Sequence, residues 1–192
     1  MTTIVKKIAL IAILTALALI IFIIEAQIPI PVPIPGVKLG LANAVTLFAL
    51  FYGKSSQKDK TTAAKTGTNE TNGNQTLTTI DAFTILLCRI TLGAVFTGRL
   101  VAFAYSLTGG LLGFLAQVII KRFVSDKQIW VCGTVGAVFH NIGQMIAAII
   151  ITGTPAIAVY LPILVITGIV TGILTGLVAQ LTLQRLSKYK NS

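Results

Sequence analysis

The sequence predicts an all-α integral membrane protein, a bundle of six transmembrane helices in a single membrane domain spanning residues 1–192. Three observations predict it. Of 192 residues, 55% are hydrophobic and only 10% charged, and the mean hydropathy is +0.90, outside the range of soluble globular chains. Apolar runs at or near bilayer length recur at about 7–28, 39–53, 79–97, 100–121, 129–152 and 158–183. Basic residues fall almost entirely between alternate runs, as they do in cytoplasmic loops.

That asymmetry sets the topology. Lys6 and Lys7, then Lys54, Lys58, Lys60 and Lys65, then Lys121, Arg122 and Lys127, then Arg185, Lys188 and Lys190 share one side, whereas Lys38 and Arg99 fall on the other. Both termini are therefore assigned to the cytoplasm of a multi-pass protein. A formal charge of +10 would point to nucleic acid in a soluble chain; here topology accounts for it, and the expected surroundings are the lipid bilayer.

The first run follows Lys6 and Lys7 as a signal peptide would, but it continues to about Ile24 without a small-x-small cleavage site, so it reads as a retained span. Within it, Ala12 and Ala16 are four apart, a spacing that lets another helix approach closely in lipid. The approach can come from a helix of this chain or of a partner. The same spacing recurs at Gly168, Gly172 and Gly176 in the last run and at Gly109 and Gly113 in the fourth.

Between the first two runs, Pro29, Pro31, Pro33 and Pro35 alternate with Ile30, Val32 and Ile34. Four prolines remove backbone donors and exclude a helix. An apolar, extended segment between two spans is expected to cover or line a cavity, because such backbone is tolerated at membrane depth only there. The second run is short for a full crossing. Residues 54–78, rich in Thr, Asn, Lys and Gly, are expected to form a flexible cytoplasmic insert between helices 2 and 3. The Asn-x-Thr matches at Asn69 and Asn74 carry no meaning on a cytoplasmic loop.

Charges inside spans are costly and mark functional candidates. Arg89, near the centre of the third span, either meets a ligand or pairs with Glu25 or Asp81. Asp81 itself reads as an N-cap or first-turn residue. In the fifth span His140 and Gln144 are i,i+4 and Asn141 is i,i+3 from Gln144, so all three can face one groove, either as interhelical hydrogen-bonding groups or as ligand contacts. With Glu25, Lys38 and Asn43 they fall in the outer half of the membrane. An apolar concavity with a few orienting polar groups suits a small molecule, and Lys38, Arg89 and Arg99 against Glu25 favour an anionic one.

The absences bear on mechanism. No Gly-x-x-x-x-Gly-Lys-Ser/Thr loop is present for ATP hydrolysis, and no Asp-rich pair holds magnesium for diphosphate chemistry. One His without Cys, Asp or Glu at ligand spacing predicts no metal. Cys88 and Cys132, alone in separate apolar runs, read as packing residues. No cofactor is called for, and nothing in the chain predicts an enzyme.

The string from Lys6 to Ala18, and above all Ile34-Pro35-Gly36-Val37-Lys38-Leu39-Gly40-Leu41-Ala42-Asn43-Ala44-Val45-Thr46-Leu47, resembles the bacterial membrane proteins known as the Gx transporter or heptaprenyl diphosphate synthase component I family. That family is in turn similar to the substrate-binding S-components of energy-coupling-factor (ECF) vitamin transporters. The resemblance covers nearly all of the chain outside residues 54–78. It implies a six-helix S-component fold in the bacterial plasma membrane, with a ligand pocket toward the outer face closed by the connection between helices 1 and 2. It further implies that Ala12 and Ala16 contact a transmembrane coupling subunit that works with two ATPase subunits, and that the S-component topples in the membrane to release its ligand. The family name implies an alternative: an accessory membrane subunit of a heptaprenyl or polyprenyl diphosphate synthase in quinone side-chain synthesis. A third reading treats the polar residues only as bundle glue.

Overall fold

The computed structural model describes residues 3–28, 38–52 and 77–190. Six α-helices follow in order: α1 (Thr3–Glu25), α2 (Asn43–Tyr52), α3 (Thr79–Thr97), α4 (Leu100–Ile120), α5 (Ile129–Thr152) and α6 (Leu161–Lys190), with a 3-10 turn at Pro155–Tyr160 leading into α6. No strand occurs among the described residues. The proline-rich residues 29–37 and nearly all of the expected insert, residues 54–76, lie outside the described residues.

Five helices are long and apolar enough to cross a membrane, and α2 is not; ten residues at 1.5 Å per residue reach only about 15 Å. The chain is thus a helical, multi-pass membrane protein. α2 nonetheless organises the core. Val45, Thr46, Leu47, Ala49, Leu50 and Phe51 are all buried, and all but Thr46 pack with Leu14 and Ala18 of α1, Ala82 and Ile85 of α3, Ile129 and Cys132 of α5, and Ala179 and Leu183 of α6. A helix apolar all round belongs in an interior. The long helices stand around it, and their outward faces of Ile, Leu and Val are exposed, as a lipid-facing surface requires.

Local signals explain where the helices start and stop. α3 begins with a capping box: the Thr78 hydroxyl accepts from the Asp81 N–H, and the Asp81 carboxylate accepts from the Thr78 N–H at 2.6 Å. Asp81 also pairs with Lys7 of α1 at 2.8 Å, so its role is structural and at the opposite end of α3 from Glu25. α3 ends at Gly98, whose left-handed φ of 62° lets its N–H return to Ala94 and turns the chain at once into α4.

Small residues set the helix spacing. A Cβ at Gly113 would lie 2.7 Å from the Gly136 carbonyl oxygen, and one at Gly172 would lie 2.5 Å from the Thr134 Cα. α4 and α6 therefore approach α5 from two sides, backbone to backbone. Half of the apolar window of α5 is buried, against 17% of that of α6, so α5 is the inner helix of the three. Ala12 and Ala16 behave differently: both are exposed on α1. Cys132 is buried and directs its thiol to the Gln117 carbonyl oxygen at 3.3 Å, Cys88 is half-buried, and neither forms a disulfide.

Candidate functional site

Most of the buried polar side chains converge at the end of the bundle where α1 finishes and α2 begins. Four elements supply them: the C-terminal turn of α1, the stretch Lys38–Asn43, and the middle turns of α3 and of α5.

Glu25, the last residue of α1, is 2% exposed. Its carboxylate accepts the Gly40 N–H with one oxygen and the Ala42 N–H, at 3.4 Å, with the other. Both donors lie in the turn that opens α2, so the carboxylate meets the donor-rich end of that helix. Both oxygens act as acceptors, as in an ionised carboxylate. The turn also needs a glycine. Gly40 has φ +82°, and a Cβ there would stand 3.0 Å from Asn43 Nδ2 and 3.1 Å from His140 Cδ2.

Lys38 enters from the same stretch. Its N–H donates to Gln144 Oε1 at 2.9 Å, and its carbonyl accepts from Gln144 Nε2 at 3.1 Å. Its ammonium sits 3.0 Å above the centroid of the Phe22 ring, one turn before Glu25 on α1. Burial draws the Lys38 ammonium down from the usual 10.5 to about 8; Glu25 opposes that shift, whereas Arg89 and Arg99 add to it.

Arg89, 2% exposed, reaches in from α3. Its Nη2 donates to Asn43 Oδ1 at 3.0 Å, its guanidinium lies 5.9 Å from the Phe22 ring centroid, and its Nε has no partner. Neither of the two carboxylates expected as partners forms an ion pair with it among the described residues; its direct hydrogen bond goes to the Asn43 amide.

On α5, Gln144 also hydrogen-bonds His140 through Nε2 of each side chain. The paired contacts with Lys38 fix the amide: Oε1 faces an N–H, so Nε2 is the donor and the His140 Nε2 must accept. His140 is therefore a neutral imidazole protonated at Nδ1, and that nitrogen faces the α4 backbone, 3.0 Å from where a Cβ on Gly109 would stand. Asn141 departs from the expectation that all three α5 residues share one groove. Its Nδ2 donates to the Leu164 carbonyl at 2.6 Å, so it serves the contact with α6, and its Oδ1 is buried without a partner. On a helix, i and i+1 diverge by about 100°, and the i,i+3 relation to Gln144 does not overcome that separation.

The structure thus brings together Glu25, Lys38, Asn43, Arg89, His140 and Gln144, directs Asn141 to α6, and leaves Arg99 exposed at the N-terminus of α4. Sequence reasoning missed Phe22 and Thr46. Phe22 is buried and carries both cations; its i,i+3 spacing from Glu25 was the available signal. Thr46 is one turn beyond Asn43, and its hydroxyl is buried without a partner. Formal charges in the cluster are Lys38 and Arg89 against Glu25, a surplus of one positive charge.

No curated protein and no solved structure matches the chain significantly. A family model described as heptaprenyl diphosphate synthase component I matches residues 14–70 and 73–182. The matched ranges take in every member of the polar cluster and also most of residues 54–78. The chain accordingly belongs to the heptaprenyl diphosphate synthase component I family.

Proposed function

We propose that the protein is a substrate-binding membrane subunit, of the S-component kind found in ECF importers, that takes a small anionic molecule at the Glu25–Lys38–Arg89 cluster. The observation that carries this reading is a buried cluster with one surplus positive charge and an unpartnered guanidinium N–H. Buried charge without compensation is costly, and an anionic ligand supplies the compensation. Arg89, Lys38 and Asn43 would make the principal polar contacts, with His140 and Gln144 behind them. Both termini would lie in the cytoplasm, because Lys6, Lys7, Lys121, Arg122 and Lys127 gather at the other end of the bundle.

An exposed Ala12/Ala16 pair on α1 fits docking of a transmembrane coupling subunit, with ATPase subunits providing the energy. Purification from native membranes with such subunits, followed by mass spectrometry of the released ligand, tests the reading; repeated recovery of a lone, ligand-free chain would refute it. Replacing Ala12 and Ala16 with Leu should abolish assembly and leave ligand binding intact, and unaltered assembly would remove the coupling role.

The family description favours a second reading, an accessory membrane subunit of a polyprenyl diphosphate synthase. It predicts co-purification with a soluble synthase and a change in that enzyme's rate when this chain is added.

A further inference from the structure

Resting on the ligand-binding reading above, we infer that the head group taken by this site is a carboxylate bearing one negative charge, held between the Lys38 ammonium and the Arg89 guanidinium over the Phe22 ring, and not a phosphate or diphosphate.

The charge inventory leads there. Glu25 directs both oxygens to backbone N–H groups, the pattern a carboxylate makes, so the negative charge it brings to the cluster is committed to the turn that opens α2. His140 accepts from Gln144 and adds no charge. Asn43 and Gln144 are neutral amides, and their contacts are to Arg89, Lys38 and His140. Arg99 is exposed; it acts on Lys38 more weakly than burial, Glu25 or Arg89 do, and solvent screens it. What remains is Lys38 plus Arg89 minus Glu25. One negative charge balances this set. A phosphate monoester near its dianionic form leaves a net negative charge of one, and a diphosphate leaves more, in a region where every member of the cluster is buried and screening is weak.

Donor geometry agrees. Arg89 already gives Nη2 to Asn43 and keeps Nε–H free at 2% exposure. The Lys38 ammonium rests on an aromatic face. The site therefore offers one guanidinium N–H edge and one ammonium, enough for the two oxygens of a carboxylate. A diphosphate normally draws on metal ions or several cations, and among the described residues the buried cluster holds these two.

The test is isothermal titration of the full-length protein in detergent with octanoate, octyl phosphate and octyl diphosphate, which share one tail and differ in head-group charge. Octanoate should bind at least tenfold tighter than either phosphate, and Lys38→Met and Arg89→Gln should each weaken it tenfold or more. Lys38→Met removes the charge while keeping an unbranched apolar side chain, so it reports on charge even where Arg89→Gln does not fold. If a phosphate compound binds best and depends on Lys38 and Arg89, the carboxylate inference is overturned while the site stands. If none of the three binds in a manner that depends on Lys38 or Arg89, both the inference and the ligand-binding reading fail.

Discussion

The side-chain amide of Gln144 pairs with both backbone polar groups of Lys38, 2.9 Å from the N–H to Oε1 and 3.1 Å from Nε2 to the carbonyl. It acts as a short strand partner would, and it joins the middle of α5 to the stretch that opens α2. Gln144→Glu places a carboxylate oxygen against the Lys38 carbonyl and removes the donor to His140. A loss of about 2 kcal/mol is expected from the orphaned buried groups, read as a lower midpoint of thermal unfolding followed through the fluorescence of Trp130, the single tryptophan. The added negative charge also cancels the surplus, so anion binding should disappear in the same variant.

Gly40→Ala should destabilise the protein by about 2 kcal/mol, because a non-glycine residue at φ +82° is strained. Its Cβ would also press on Asn43 and His140. Thermal unfolding beside Gly98→Ala separates the two effects: Gly98 shares the positive φ but has nothing within 4 Å of a Cβ, so its variant should lose less. Equal losses would show that the contacts with Asn43 and His140 carry no weight.

Glu25→Gln keeps the side chain's shape and raises the formal surplus of the cluster from one positive charge to two. The balance of head groups should then move toward the dianion, with the octyl phosphate to octanoate affinity ratio rising tenfold or more. Some stability should be lost as well, since one neutral amide oxygen replaces two carboxylate acceptors for the Gly40 and Ala42 N–H groups. An unchanged ratio in a folded variant would show that Glu25 does not set the charge balance.

Lys38 gives the pH dependence. Its folded value of about 8 lies below the ordinary 10.5, so below pH 8 the ammonium is charged in both folded and unfolded chains and its burial cost is fully present. Between pH 8 and 10.5 the unfolded chain binds more protons, and Lys38 adds stability as pH rises. Anion affinity should move the other way, falling as pH passes through about 8. Titration at pH 7 and pH 9 checks the sign, and Lys38→Met should abolish most of the difference.

Arg89→Leu distinguishes a binding role from bundle glue. Removing the guanidinium leaves Glu25 and Lys38 balanced and exposes no new charge, so the variant should fold in detergent with anion binding gone. If binding survives in the folded variant, Arg89 serves packing alone.

The sequence by itself determined the helices and the chemistry available to them. Run lengths marked the five long helices, Asp81 as an N-cap or first-turn residue marked the start of α3, and charges within apolar runs marked Glu25, Arg89 and the polar turn of α5, because each of these signals is written at helical spacing or as an isolated cost in hydrocarbon. Tertiary structure decided the rest. The short α2 became the buried centre, Ala12 and Ala16 were left outward-facing, Asn141 went to α6 while its neighbour His140 went to the cluster, and Phe22 came under two cations. Those outcomes depend on which helix faces which, and rotation about a helix axis is set by close glycine contacts and by long-range hydrogen bonds such as Glu25 to Gly40 and Gln144 to Lys38. Such contacts join residues 15 and 106 positions apart, a separation over which local periodicity carries no information.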